Sequence, residues 1–135
     1  MSDIERIAAE LAIRNLLARY CHCYDQARVD EYCDLFVEDG EFHTPDTVAT
    51  GRHEIRSKIA EGSRTAAPAQ HVTYNSAIQI APDGRASGQS DFMYVGAEPD
   101  GSKTIRIVGR YVDEFVSRDW DWKFQRRVVE FVGPR

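Results

Sequence analysis

The order of two hydrophobic periodicities along the chain limits its fold more than any other feature of the sequence. As far as about residue 60, apolar residues recur at three- and four-residue steps, which is typical of amphipathic helices. From His71 onward, apolar and polar residues alternate in short runs separated by turn sequences, which is typical of antiparallel strands. Helices followed by an antiparallel meander predict a single α+β domain over residues 1–135 and exclude a doubly wound parallel sheet.

The periodicity predicts three helices in the first half of the chain, over Asp3–Tyr24, Val29–Glu38 and Thr50–Ile59. Gly40 stands where a left-handed cap would end the second helix, and Glu41–Thr44 would then form a short strand. After a polar loop over residues 61–70, the second half contains four predicted strands: His71–Ile80, Arg85–Val95, Lys103–Val116 and Trp122–Val132.

The charge balance argues against polyanionic partners. The chain has 17 basic and 22 acidic residues and a net charge of -5, whereas nucleic acids and anionic membranes attract clusters of positive charge. No apolar run approaches the about 20 residues of a membrane span, and the first residues do not resemble a signal peptide. These features predict a cytoplasmic protein that binds neither nucleic acid nor membrane.

The three cysteines, Cys21, Cys23 and Cys33, predict neither a disulfide framework nor a metal site. Their number is odd, and a reducing compartment suits them. In Cys21-His22-Cys23, neighbouring side chains on a helix point about 100° apart and cannot converge on one ion. We therefore interpret the cysteines as small apolar core residues. No glycine-rich phosphate loop or nucleophile motif occurs, so we expect no cofactor.

One predicted strand, Lys103–Val116, carries apolar residues on both faces, and a strand of this kind is usually covered on both faces. Three short helices can cover only one side of a four-stranded sheet. We therefore expect a second copy of the chain on the other side, in a dimer or trimer. The alternative is that β-branched residues are favoured in strands even where they are exposed. One face has Ile105, Ile107, Tyr111 and Phe115, and the other Val108, Val112 and Val116.

His71 is the residue that most directly suggests chemistry. It begins a predicted strand and shares a polar face with Thr73 and Asn75, opposite an apolar face that includes Val72 and Tyr74. The polar face is either the solvated side of the sheet or the lining of a pocket on its concave side. Histidine is the side chain best suited to exchange protons near neutral pH.

Asp25 and Tyr20 are the candidate partners of His71. Asp25 follows the first predicted helix, where its carboxylate could accept the imidazole N–H and fix the tautomer, or could cap backbone N–H groups before the next helix. Tyr20 could act as a hydroxyl donor or be a core aromatic residue with its hydroxyl at the edge. The residues alone leave both choices open.

A resemblance to a known family adds to this reading. Several runs of the sequence resemble the SnoaL-like branch of the NTF2-like superfamily in content, order and spacing, over nearly the whole chain. These runs are Ile13–Asp25, Leu35–Phe42, Gly51 with Ile55, His71–Asn75, Gly109–Asp113 and Trp122–Arg127. The resemblance implies a cone-shaped α+β barrel in which N-terminal helices pack on a curved antiparallel sheet around an apolar pocket. This fold hosts many functions, so the resemblance specifies the fold better than the reaction.

The resemblance also implies roles for individual residues. In the scytalone dehydratase and hexachlorocyclohexane dehydrochlorinase branch, a histidine at the position of His71 is the general base, an aspartate at that of Asp25 orients it, and a tyrosine at that of Tyr20 often assists. An arginine of the last strand faces some of these pockets, which points to Arg127 first and Arg126 second. The other expected pocket residues are Thr73, Asn75, Phe36, Phe42 and Phe92.

These inferences predict a cofactor-independent lyase or isomerase, with dehydratase-type elimination as the leading form, acting on a small apolar cyclic or polycyclic substrate. The alternative is a non-catalytic ligand-binding or oligomer-scaffolding domain, including one similar to the small subunit of aromatic-ring dioxygenases. The ketosteroid isomerase branch places a carboxylate base where this chain has Thr44, which argues against that mechanism here.

Overall fold

The computed structural model describes residues 1–133. Its helices are α1 (Asp3–Asp25), α2 (Val29–Asp34), α3 (Gly51–Lys58) and a short 3₁₀ helix over Ala60–Arg64. Its strands are β1 (Phe36–His43), β2 (Val48–Thr50), β3 (Ala69–Ile80), β4 (Arg85–Ala97), β5 (Lys103–Arg118) and β6 (Asp121–Phe131).

The six strands form one sheet in the order β2-β1-β6-β5-β4-β3, which is curved and does not close on itself. Neighbouring strands are antiparallel except β1 and β6, which are parallel. The helices pack against this sheet, and the predicted α+β class with an NTF2-like arrangement is confirmed. No helix within residues 1–133 is both long and apolar enough to cross a bilayer.

Helix α1 begins with a capping box, in which the Ser2 side chain accepts from the Glu5 backbone N–H and the Glu5 side chain accepts from the Ser2 backbone N–H. Its inner side is buried from Ala9 to Cys23 and packs against the sheet. The first turns differ, because their apolar side chains are more than half exposed. These are Ile4, Ile7 and Leu11.

The prediction of a second helix as far as Glu38 is wrong, because α2 ends at Asp34 and the chain enters β1 at Phe36. Tertiary packing decides this, since Phe36 is fully buried and its ring lies 5.1 Å from that of Phe124 in the neighbouring strand. Gly40 is therefore not a left-handed cap. It lies inside β1, where an added Cβ would come within 3.0 Å of a backbone carbonyl oxygen.

A β-bulge in β3 overturns the predicted faces of that strand. The pairing with β4 shifts between Tyr74 and Ala77, and Asn75 adopts a positive φ of 54°. Before the bulge, His71 faces inward and Val72 is exposed. The predicted polar face is therefore neither a solvated face nor one continuous pocket lining.

The outer face of the sheet remains partly apolar in the single chain. Val108 and Val112 of β5 are 39% and 40% exposed, while Tyr111 and Phe115 point into the core. Ile105 does not share their buried face as predicted, because a register shift near Val95 leaves it exposed.

Candidate active site

The end of α1 and the start of β3 bring Asp25 and His71 together. Asp25 Oδ1 lies 2.6 Å from His71 Nδ1, and Asp25 Oδ2 accepts the backbone N–H of His71 at 2.9 Å. Both carboxylate oxygens therefore accept hydrogen bonds from His71, and they hold the backbone of β3 as well as the imidazole ring in position. With Asp25 ionised, Nδ1 carries a proton and the neutral imidazole presents a lone pair at Nε2.

Nε2 of His71 makes no hydrogen bond to any side chain or backbone group of residues 1–133. The ring is held by aromatic neighbours instead: its centroid lies 4.6 Å from that of Tyr94, 5.1 Å from that of Tyr24 and 6.0 Å from that of Tyr20. The side chains of His71 and Asp25 are 12% and 14% exposed. The pair is therefore largely desolvated but open to a small molecule.

His71 forms part of the wall of a cavity of about 270 Å³ between the helices and the sheet. The wall is mostly aromatic and aliphatic, and its polar groups apart from His71 are few. The lining residues are Tyr20, Tyr24, Phe42, Thr44, Lys58, Ile59, Gly62, His71, Phe92, Ile107, Tyr111, Val129 and Phe131.

On its other side, the pair borders an open groove of about 600 Å³ between α1 and β3. Asp25 and His71 both line this groove, whose other residues include Arg14, His22 and Gln70. The carboxylate therefore lies towards solvent, while the imidazole is shared by the groove and the apolar cavity. This arrangement suits a base that must accept a proton in an apolar space.

A second ion pair lies deeper in the core. Arg127 of β6 and Asp113 of β5 form two parallel hydrogen bonds of 2.8 and 2.9 Å, with side chains 0% and 1% exposed. The guanidinium carbon lies 4.2 Å from the ring centroid of Tyr20 and 3.6 Å from that of Tyr111. Arg127 is thus adjacent to two wall residues of the cavity without lining the cavity itself.

Burial raises the pKa of every tyrosine hydroxyl near the histidine. For Tyr20, the charge of Arg127 opposes this effect, but burial outweighs it and the pKa of the hydroxyl stays raised. For Tyr94, the nearby Asp25 carboxylate adds to the effect of burial. These hydroxyls are therefore neutral donors at ordinary pH.

The family model described as SnoaL-like domain matches residues 5–128, which is most of the chain. The chain belongs to the SnoaL-like domain family.

Two curated relatives of this SnoaL-like domain are gamma-hexachlorocyclohexane dehydrochlorinase and hexachlorocyclohexane dehydrochlorinase 2, both from Sphingobium indicum. Each is 24% identical over 136 residues, covering 94% of this chain and 83% of the relative. A solved protein of unknown function from Mycobacterium tuberculosis is 25% identical with a TM-score of 0.89, covering 99% of this chain and 78% of that one. A provisionally named scytalone dehydratase from Novosphingobium aromaticivorans is 26% identical with a TM-score of 0.86, covering 98% and 89%.

The structure of this SnoaL-like domain brings several of the predicted site residues to the cavity and leaves others away from it. His71, Tyr20, Phe42 and Phe92 line the cavity. Thr73 lies in the groove instead, with its hydroxyl 3.3 Å from Cys21 Sγ.

Asn75, Phe36 and Arg127 line neither the cavity nor the groove. Asn75 is exposed and donates to Asp91 at 3.0 Å, because the bulge turns it out of the polar row. Phe36 is fully buried behind the wall, among other aromatic rings. Arg127 points inward, and Arg126 takes no part in its ion pair. The rings of Tyr20 and Tyr111, which pack against the Arg127 guanidinium, separate it from the cavity.

Sequence reasoning missed several wall residues that the pattern could have revealed. Tyr24 follows Tyr20 by one helical turn and therefore lies on the same face of α1. Val129 and Phe131 follow Arg127 at steps of two, the period of a strand face. Lys58 and Gly62 lie in segments whose place at the cavity no local pattern indicates.

The side chains within residues 1–133 do not form a cluster of three or more histidine, cysteine, aspartate or glutamate residues that could hold a metal ion. All three cysteines are buried and unpaired with one another. The polar side chains of the cavity wall are the His71 imidazole, the Lys58 ammonium, the Thr44 hydroxyl and the hydroxyls of three tyrosines.

Proposed function

We propose that this SnoaL-like domain is a cofactor-independent lyase or isomerase in which His71 is the general base and Asp25 orients it. The observation that carries the proposal is the 2.6 Å contact between Asp25 Oδ1 and His71 Nδ1, which leaves Nε2 free at an apolar cavity. Membership of the SnoaL-like family and the names of the relatives support a reaction of this class.

The proposed reaction is an elimination. Nε2 of His71 takes a proton from a carbon atom, the electrons of the broken C–H bond form a double bond, and a group leaves the adjacent carbon with its own electron pair. Asp25 stabilises the imidazolium that forms. Tyr20 donates a hydrogen bond to the leaving group, so that chlorine departs as chloride. A hydroxyl departs as water by taking the proton of the Tyr20 hydroxyl, and the proton held by the His71 imidazolium makes good that loss before the next turnover.

The proposed substrate is small, cyclic and mostly apolar. A volume of about 270 Å³ equals about nine water molecules at about 30 Å³ each, which accommodates roughly a dozen non-hydrogen atoms. Phe42, Phe92 and Tyr111 offer ring faces to such a molecule. Single-ring substrates are therefore favoured over four-ring ones. Dehydratase-type elimination is the leading form of the proposed reaction.

The test compares wild type with His71→Gln on two probes, γ-hexachlorocyclohexane, with chloride release measured, and a cyclic β-hydroxyketone, with enone absorbance measured. His53→Gln is the matched control, since His53 is exposed and does not line the cavity. We expect a loss of about 10²–10⁴-fold in kcat/KM for the His71 variant alone. Equal turnover by wild type and His71→Gln would refute the proposed base.

The non-catalytic alternative makes a different prediction in the same experiment. A binding domain would take up cyclic probes in the cavity without converting them, and replacement of His71 by glutamine would change their affinity little. Saturation binding with no product over many hours would favour that alternative.

We also propose a homo-oligomer in the cytoplasm. A second copy would cover the exposed valines on the outer face of the sheet, Val108 and Val112, and the free cysteines suit a reducing compartment. Light scattering after size exclusion should give a mass above that of one chain for wild type. The double variant Val108→Lys/Val112→Lys should shift it towards the monomer, whereas a monomeric wild type would refute the proposal.

A further inference from the structure

The Arg127–Asp113 pair lies against the cavity wall without lining the cavity. Removing either partner would leave the other charge buried and unpaired, whereas aromatic residues could fill the same space without that risk. The presence of an ion pair at this position therefore needs an explanation other than stability. The guanidinium lies over the face of Tyr20, a residue whose other side forms the cavity wall next to His71.

The surroundings of the pair are incompletely satisfied. Arg127 Nη1 and the hydroxyl of Tyr32 are buried without a hydrogen-bond partner. Both residues pack on Tyr20, with the Tyr32 ring centroid 5.1 Å and the Arg127 guanidinium carbon 4.2 Å from that of Tyr20. Polar groups in a core are usually hydrogen-bonded. Because two such groups beside the Tyr20 ring are not, we infer that the electric field of the Arg127 charge at this ring matters more than close packing.

We propose that Asp113 and Arg127 are positioning residues for Tyr20: the ion pair holds a permanent positive charge on the ring and strengthens its hydroxyl as a hydrogen-bond donor towards the cavity. Arg127 supplies the charge, because a guanidinium stays protonated at all ordinary pH values. Asp113 fixes its orientation through two hydrogen bonds. The role assigned to Tyr20 rests on the proposed function, and the charge effect itself does not.

The effect of the charge on Tyr20 can be measured without a substrate. The protein is labelled with 3-fluorotyrosine, which brings phenol titration down towards neutral pH, and each ring is followed by ¹⁹F NMR. Tyr20→Phe assigns the Tyr20 signal among the six tyrosines. The variant is Arg127→Gln/Asp113→Asn, in which two amides replace the two charges, and Arg127→Lys is the control that keeps the positive charge.

We expect the Tyr20 signal of the charge-free variant to titrate about one to three pH units higher than in wild type. Arg127→Lys should restore most of the wild-type value. Tyr24 and Tyr94, which do not contact Arg127, should titrate alike in all variants.

Two results would overturn the proposal: an unchanged Tyr20 titration in the charge-free variant, or equal shifts of Tyr20, Tyr24 and Tyr94, which indicate general loosening. If the charge-free variant does not fold, Arg127→Met/Asp113→Leu takes its place, since apolar side chains of similar size can replace both partners of a buried ion pair without loss of stability. The same rise in the Tyr20 titration is expected there, and an unchanged titration would refute the proposal. None of these outcomes depends on turnover, so the His71 assay remains a separate test.

Discussion

Two of the molecule's pairs of a nitrogen base and a carboxylate lie largely out of solvent, and they differ in what they can do. His71–Asp25 joins α1 to β3 at the rim of the cavity, and Arg127–Asp113 joins β6 to β5 in the core. The first pair keeps one ring nitrogen free and is partly open, whereas the second is closed to solvent. An imidazole can gain and lose a proton near neutral pH, and a guanidinium cannot. Contact distance therefore does not identify a catalytic pair; a free nitrogen and access to it do.

The largest expected effect on stability comes from breaking the closed pair. Asp113→Ala leaves the Arg127 charge buried and unpaired, and the free energy of unfolding should fall by about 3–5 kcal/mol. Asp91→Ala is the matched control, because Asp91 pairs with Arg110 at 3.5 Å on the partly exposed outer face, where about 1 kcal/mol or less is expected. Urea denaturation measures both, and similar losses would contradict the difference between buried and exposed pairs.

The open pair, His71–Asp25, should contribute less to the free energy of unfolding. Asp25→Ala removes the acceptor of the His71 ring and of its backbone N–H, and a loss of about 1–3 kcal/mol is expected. His71 then has water from the groove as a substitute partner, which limits the loss. The same urea experiment tests this, and a loss as large as that of Asp113→Ala would remove the distinction between the two pairs.

High pH should destabilise the region around the closed pair. Burial raises the pKa of Tyr20, Tyr32 and Tyr111 above that of an unfolded tyrosine, about 10. Above pH 10 the unfolded chain therefore releases protons that the native chain retains, and the free energy of unfolding falls, while below that pH this contribution is constant.

Tyr32→Phe tests this pH dependence directly, since it removes one buried hydroxyl that has no hydrogen-bond partner. The decline in unfolding free energy above pH 10 should be about 1 kcal/mol per pH unit shallower in the variant than in wild type. Denaturation at pH 8, 10 and 11 measures it. Equal declines would mean that Tyr32 ionises in the folded protein.

The smallest effect is expected where the sequence pointed to the pocket and the structure does not. Asn75→Gly loses one exposed hydrogen bond to Asp91 and keeps the positive φ of 54°, which glycine adopts without strain, so the unfolding free energy should change by about 0.5 kcal/mol or less. Binding of a cyclic probe to the cavity should be unchanged. A clear loss of probe affinity would show that Asn75 reaches the cavity in solution.

The sequence was most informative where local patterns and burial agree. The order of helices and strands predicted the α+β class, and the helical spacing predicted α1 with Tyr20 and Asp25 near its end. It failed where distant pairing decides. Nothing local to Phe36 shows that it will pair with Phe124, so a helix was predicted there instead of β1. The bulge at Asn75 likewise changes which residues face the cavity, and alternation alone cannot locate it.

The parallel pairing of β1 with β6 has a consequence for how the protein reaches its native state. The strand that comes last among the six lies in the middle of the sheet, between β1 and β5. It carries Arg127, Val129 and Phe131, so neither the cavity wall nor the ion pair is complete until this strand has joined the sheet. On the ribosome, the helices and the earlier strands must remain incomplete until residues 121–131 emerge. Synthesis therefore leaves β1 with an unpaired edge until residues 121–131 have emerged, and chaperone protection matters most before that point.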